Sequence, residues 1–172
     1  MTQNDAQSEL FTGLILLTGI DKPGIANKLF EALSPFAVRI LDVEQIVNNH
    51  RLILTVLIGA NPAHQSAIEE DLNACALALD VDIATLFTKG FLPAVPADLV
   101  EIKITSPKLT PSDLAQITLA VSQNNGNVER IQRLTSDPVS IQLIVSGASK
   151  QSLSETLSGL IFDNNTEFSV ND

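Results

Sequence analysis

Between Gly19 and Gly24 the chain reads Gly-Ile-Asp-Lys-Pro-Gly, a turn that carries the groups needed to hold a small zwitterion. The apolar spacing after Pro23 predicts a helix, and the first N–H groups of a helix, here near Pro23 to Ala26, have no partner within it. They point outward with partial positive charge, which suits a carboxylate. Gly19 and Gly24 lack a Cβ, so backbone can approach a ligand closely. Asp21 offers an acceptor for an ammonium group, or a side-chain cap for the helix, and the two roles are compatible. Ile20, Lys22 and Pro23 complete this candidate set. Far along the chain, Asn127 after Gly126 can hydrogen-bond the polar ends of a ligand, although Asn and Gly together are also a turn signal and the turn is the favoured reading.

Other reactive residue types are too scattered for chemistry of their own. Cys75 stands alone in a helix-like run, so neither an internal disulfide nor a thiolate zinc site is open to it; it reads as a small buried apolar residue. His50 and His64 are single and separated, without the spacing of a triad or a metal site, and read as surface residues. The polar run Asp163-Asn164-Asn165 reads as a helix-ending turn.

The elements that must position the turn follow from periodicity. Residues 11–18 form a short apolar run bounded by a turn, a buried strand. Proline at 23 fits the first helical position, and Ile25, Leu29 and Leu33 recur at helical spacing until Pro35. Strands are predicted at 38–47 and 52–58, joined by the asparagine-rich hairpin 48–51, then a helix at 62–79 and a strand at 81–87. Residues 89–98, with prolines and small residues, read as a linker. The same order then returns: strand 99–105, helix 111–123, strands 127–134 and 139–145, helix 150–162 and strand 166–170. An offset of 88 lays Pro23 on Pro111, Leu29 on Ile117, Leu33 on Val121, Val43 on Ile131 and Ile46 on Leu134. One βαββαβ unit used twice is the expectation, each an α+β domain with a four-stranded antiparallel sheet and two helices on one face. The predicted division is a lead-in at 1–10, a first domain at 11–88, the linker at 89–98 and a second domain at 99–172. The helix-free sheet face or edge needs cover, so pairing between domains or chains is expected.

Gly-x-Asp-x-Pro-Gly after the first strand of such a unit resembles the ligand loop of ACT domains. Two further stretches are sharper. Ile40-Leu41-Asp42-Val43-Glu44-Gln45 with Arg51-Leu52-Ile53-Leu54, and Asn125-Gly126-Asn127-Val128-Glu129-Arg130-Ile131 with Val145-Ser146-Gly147, resemble the two ferredoxin-like ACT domains that open actinobacterial-type phosphoserine phosphatases. The resemblance covers residues 11–170. It implies a homodimer that binds a small amino acid, L-serine or a glycine-like one, where side chains of the partner's second strand complete the pocket. Here those are Asp42, Glu44 and Gln45, which also read as an ordinary polar sheet face.

In that family a haloacid-dehalogenase-type domain follows and does the catalysis, with a metal-assisted Asp-x-Asp pair. Asp80 and Asp82 have that spacing, but Ala84 replaces the expected hydroxyl or branched residue, and the repeat already uses the residues that follow. They read as a helix-to-strand turn, since phosphoryl transfer needs a positioned, metal-assisted set. No cofactor is expected; magnesium would belong to the absent catalytic domain. At offset 88 the second loop places Pro107, Leu109 and Ser112 where the first has Gly19, Asp21 and Gly24, so its capacity for a ligand is in question.

Composition sets the outer limits. With 45% hydrophobic and 17% charged residues the chain can bury a core, and with 7 Phe and no Trp or Tyr that core must be aliphatic. A net charge of -10 argues against nucleic acid, whose binding draws on clustered Lys and Arg. The start is polar and acidic, unlike a secretory signal, and no apolar run reaches the ~18 residues of a membrane span. A cytoplasmic, non-catalytic sensor is the leading expectation. A stand-alone tandem-ACT regulator working by protein–protein contact, like glycine-cleavage regulators, and a plain dimerisation module are the alternatives.

Overall fold

The computed structural model describes residues 10–90, 96–160, 162 and 165–172. The chain divides into two units, Met1–Pro93 and Ala94–Asp172. The first runs β1 (Leu10–Ile20), α1 (Ile25–Leu33), β2 (Arg39–Asn48), β3 (Arg51–Gly59), α2 (Gln65–Leu79) and β4 (Asp82–Gly90). The second runs β5 (Leu99–Ser106), α3 (Pro111–Gln123), β6 (Asn127–Ser136), β7 (Val139–Ser146), α4 (Lys150–Ser158) and β8 (Glu167–Asn171). The sheets have orders β2-β3-β1-β4 and β6-β7-β5-β8, with every pairing antiparallel. Each is the predicted βαββαβ sandwich.

Each core lies between a sheet and its own two helices. In the first unit Ile15 and Leu17 of β1 and Leu54, Val56 and Ile58 of β3 face Ile25, Leu29 and Leu33 of α1 and Ile68 and Leu72 of α2. Spacing of two on the strands and of four along α1 puts these residues on one face of each element. Burying a Leu or Ile fully is worth about 1.5–3 kcal/mol, so the central strands and helix stripes hold the unit together. The second unit repeats this with Ile102, Ile104, Leu143 and Val145 against Ile117, Val121, Leu153 and Leu157.

Several predicted boundaries shift. Pro23 lies in a turn before the helix, because Gly24 takes the N-cap and α1 starts at Ile25. A 3-10 turn, Pro62–His64, precedes α2; the Asn61 side chain accepts from Ala63 N–H at 3.0 Å and sets that start. α4 ends at Ser158, with Gly159 as C-cap, and not at 162. β4 runs two positions past the predicted domain end. Leu10, expected in the lead-in, already belongs to β1, while residues 1–9 of the lead-in, 91–95 of the linker, and Asp163 and Asn164 of the predicted turn lie outside the described residues. The offset of 88 holds for the helix stripes, but the first strands align 87 apart, Leu17 with Ile104, because the path from strand to helix stripe is one residue longer in the second unit, Ser106 to Ile117 against Gly19 to Leu29. His64 is half-buried, its ring 6.1 Å from that of Phe36, so only His50 is a surface histidine. Cys75 is also half-buried, and burial pushes its thiol pKa up.

Candidate functional site

β1 carries the chain to Gly19, which is buried beneath α2's exit: a Cβ there would stand 2.6 Å from Val81 Cγ1. Gly19 is therefore small to admit Val81, a packing reason the sequence did not reveal. From Ile20 to Gly24 the backbone emerges and every residue is exposed. The Asp21 N–H donates to the His50 carbonyl at 2.9 Å, which ties the turn to the β2–β3 hairpin, where Asn49 and His50 adopt φ 47° and 60°. Gly24 has φ 93°, left-handed space that costs an L side chain about 1–2 kcal/mol. It is the N-cap of α1, and no side chain caps this helix. The capping role for Asp21 thus falls away, leaving its carboxylate exposed in the turn.

The first helical bond here runs from Lys28 N–H to Gly24 O at 3.0 Å. The N–H groups of Ile25, Ala26 and Asn27 precede it and face out of the helix start. What the turn presents is an uncapped helix N-terminus beside one carboxylate and one ammonium, Asp21 and Lys22. It can take a carboxylate on backbone N–H groups and an ammonium on Asp21.

The predicted β2 residues are not brought to this turn within one chain. Asp42 pairs with Leu57, which pairs with Leu14, six residues from Ile20, or roughly 20 Å along the strand. Gln45 pairs with Leu54, opposite Leu17, roughly 10 Å away by the same rise. A bulge between Ile40 and Asp42 sets their facing: Asp42 and Glu44 share the helix-free face, and Gln45 the other. Asn127 belongs to the second unit, where its Nδ2 donates to Glu129 Oε1 at 2.8 Å. Ser146 and then Asn127, both donating, hold the Glu129 carboxyl below its ordinary range. The turn before β6 is made by Asn125, φ 58°, and Gly126.

Beside Gly19 there is a feature that residue spacing did not expose. A cleft of about 430 Å³ is lined by Thr18, Gly19, Ile20, Arg51, Asp80 and Asp82 among others. The hairpin register places Arg51 opposite Ile20, and β4 places Asp82 opposite Thr18. Asp80 is the left-handed C-cap of α2, in keeping with a turn. Among the described residues no group of three or more His, Cys, Asp or Glu could hold a metal ion.

The second unit closes the corresponding region. Ser106, fully buried, stands in the place of Gly19, and not Pro107 as the offset of 88 implied. Its hydroxyl donates to Lys108 O at 2.9 Å and accepts from Lys108 N–H at 3.3 Å. Thr110 and Asp113 form a reciprocal capping box: Asp113 N–H donates to Thr110 Oγ1 at 3.3 Å, and Thr110 N–H to Asp113 Oδ2 at 2.7 Å. Side chains of its own loop thus hold the Thr110 and Asp113 N–H groups of this helix start.

Comparison with known proteins gives this geometry a family. Residues 12–85 match the ACT domain profile. The match spans nearly all of the first unit, and the second unit repeats the same fold. A phosphoserine phosphatase of Streptomyces coelicolor is 29% identical over 157 residues, 87% of this chain and 37% of that protein. A phosphoserine phosphatase of Mycobacterium tuberculosis is 29% identical over 137 residues, 77% of this chain and 33% of that protein. The chain thus spans about a third of the length of these relatives and matches their ACT-bearing portion. A crystal structure described as a glycine cleavage system transcriptional repressor superposes with a TM-score of 0.75 at 19% identity, covering 94% of this chain and 96% of that one. A protein of Galdieria sulphuraria does so at 0.71 and 14% identity, covering 92% and 96%. At these identities the structural likeness speaks for the tandem ACT fold. No helix of the described residues is long and apolar enough to cross a membrane.

Proposed function

We propose that this chain is a non-catalytic, amino-acid-sensing regulatory module of serine metabolism, working in the cytoplasm without a cofactor of its own. Its ligand is a small amino acid, L-serine or a glycine-like one, held at the Gly19–Gly24 turn. The observation that carries this reading is the uncapped, exposed start of α1 behind Gly24. Its N–H groups suit the carboxylate and Asp21 the ammonium. Asp42 and Gln45 lie too far along β2 to serve their own turn, so they act from the second strand of a partner copy in a homodimer. Regulation follows if the ligand prefers one of two domain arrangements, since equal affinity for both shifts nothing.

Isothermal titration with L-serine, glycine and alanine tests the reading. Binding with at least one of them is expected, weakened by Asp21→Ala; no heat and no thermal shift with any would sink it. Phosphoserine with magnesium should be left unhydrolysed by this chain. The mutual coverage with the structure described as a glycine cleavage repressor supports a second reading, a free-standing regulator acting by protein–protein contact. The two divide on whether the phosphatase domain of the relatives responds to this chain and its ligand.

A further inference from the structure

The hydrogen bonding between β1 and β3 runs past the end of both strands. Their last pair is Ile20 with Arg51. One residue further on, the Asp21 N–H donates to the His50 carbonyl at 2.9 Å. His50 is the second residue of the loop between Asn48 and Arg51, the pair that closes the β2–β3 hairpin. Asn49 and His50 both have positive φ, as a tight two-residue hairpin turn requires. Asparagine and histidine accept that conformation more readily than most residues with a side chain, and both are exposed here. The loop conformation thus aims a backbone carbonyl at the turn that follows β1. In the second unit the same two groups have other partners. Lys108, two residues after Ser106 as Asp21 is two after Gly19, gives its N–H to the Ser106 hydroxyl at 3.3 Å. Pro138, second in the loop between Ser136 and Val139, accepts on its carbonyl from the Thr135 hydroxyl at 2.6 Å. Both units build the hairpin, so the fold alone does not demand the tie. It occurs in the unit whose first helix has no side-chain cap.

We infer that the β2–β3 hairpin tip positions the Gly19–Gly24 turn for its ligand, with His50 as the positioning residue. Its carbonyl fixes the backbone of Asp21, and with it the carboxylate that meets a ligand's ammonium group. This inference rests on the reading that the turn holds a small amino acid. Residues 20–24 are all exposed, and no side chain braces the helix start behind them. Held only at its ends, such a turn would have to be ordered by the ligand at a cost in affinity; a turn fixed beforehand avoids that cost. Arg51 follows His50 directly and lines the cleft of about 430 Å³ beside the turn, so the tip carries that side chain with it. The link is reciprocal: a ligand that needs the fixed turn also steadies the tip.

Three variants of the full chain at exposed positions test this. His50→Val puts a β-branched residue where φ is positive, which turns the carbonyl away from Asp21. His50→Gly keeps the conformation without strain. Thr135→Val removes the bond to the matching carbonyl in the second unit. In the ligand-free chain, the Asp21 amide should be protected from exchange in the wild type and in His50→Gly, and should lose that protection in His50→Val. In titrations with L-serine, glycine and L-alanine, His50→Val should weaken binding roughly three- to tenfold, the size of one net hydrogen bond. His50→Gly should restore most of that affinity, and Thr135→Val should leave it unchanged. Asp21 protection or affinity in His50→Val equal to the wild type overturns the inference, as does an equal loss of affinity in Thr135→Val. If none of the three amino acids binds the wild type, the ligand reading fails, and Asp21 exchange still decides whether the tip fixes the turn.

Discussion

The helix starts at Gly24 and at Thr110 occupy the same place in two copies of one fold, yet they treat their free N–H groups in opposite ways. At Thr110 the capping box holds the Thr110 and Asp113 N–H groups, and the Ser106 hydroxyl accepts the Lys108 N–H in the loop before them. At Gly24 no side chain does so, and the turn before it is open to water. The lesson is that a duplicated scaffold can keep its packing while dividing its tasks. The apolar stripes match, Leu29 with Ile117 and Leu33 with Val121, whereas the turns have parted. One start draws on side chains of its own loop, and the other has no side chain that caps it. The sheet faces diverge in the same sense, with Leu14 and Leu16 against Glu101 and Lys103.

The largest effects should come from breaking the shared part of this comparison. Leu29→Ala empties a fully buried site in one core and Ile117→Ala its counterpart in the other, each costing about 2–5 kcal/mol. The two clusters share no residue. Hydrogen exchange should therefore show amide protection falling in the mutated unit alone, and loss in both together would mean that the halves unfold as one. Next, Asp113→Ala strips the closed start of its box and leaves the Thr110 N–H without its partner. A loss of about 1–3 kcal/mol in urea denaturation is expected.

A smaller change sharpens the open start. Gly24→Ala forces a side chain into φ 93°, at a cost of about 1–2 kcal/mol, and should also weaken amino-acid binding in titration calorimetry. Gly24→Asn, which tolerates that conformation better, should recover most of the stability. Unchanged affinity in both variants would detach the ligand from the turn.

The smallest effect concerns acid. Ser146 and Asn127 hold the exposed Glu129 carboxyl below its ordinary range. A carboxylate whose pKa is lower folded than unfolded adds stability above its unfolded value and loses it as pH falls through the folded one. Acidification should thus erode a small contribution to the second unit that Glu129→Gln never has. Urea midpoints at neutral and acid pH would show the variant's curve as the flatter of the two.

How far residue types alone lead is visible at particular positions. The helical spacing of Ile25, Leu29 and Leu33, the asparagine hairpin before Arg51 and the repeat of Pro23 at Pro111 were enough for the element order and the duplication, because periodicity and turn chemistry are local. The candidate turn was equally legible, since glycine, proline and aspartate at short spacing carry their meaning with them. Tertiary structure decided the rest. Gly19 is glycine because Val81, sixty-two positions on, leans over it. Arg51 and Asp82 join the cleft beside the turn through strand register, and a bulge before Asp42 sets which β2 residues share a face. Whether a helix start is open or closed depends on a few hydroxyl and carboxylate positions around it. Such facts are distances between residues remote in the chain, and one-dimensional spacing does not encode them.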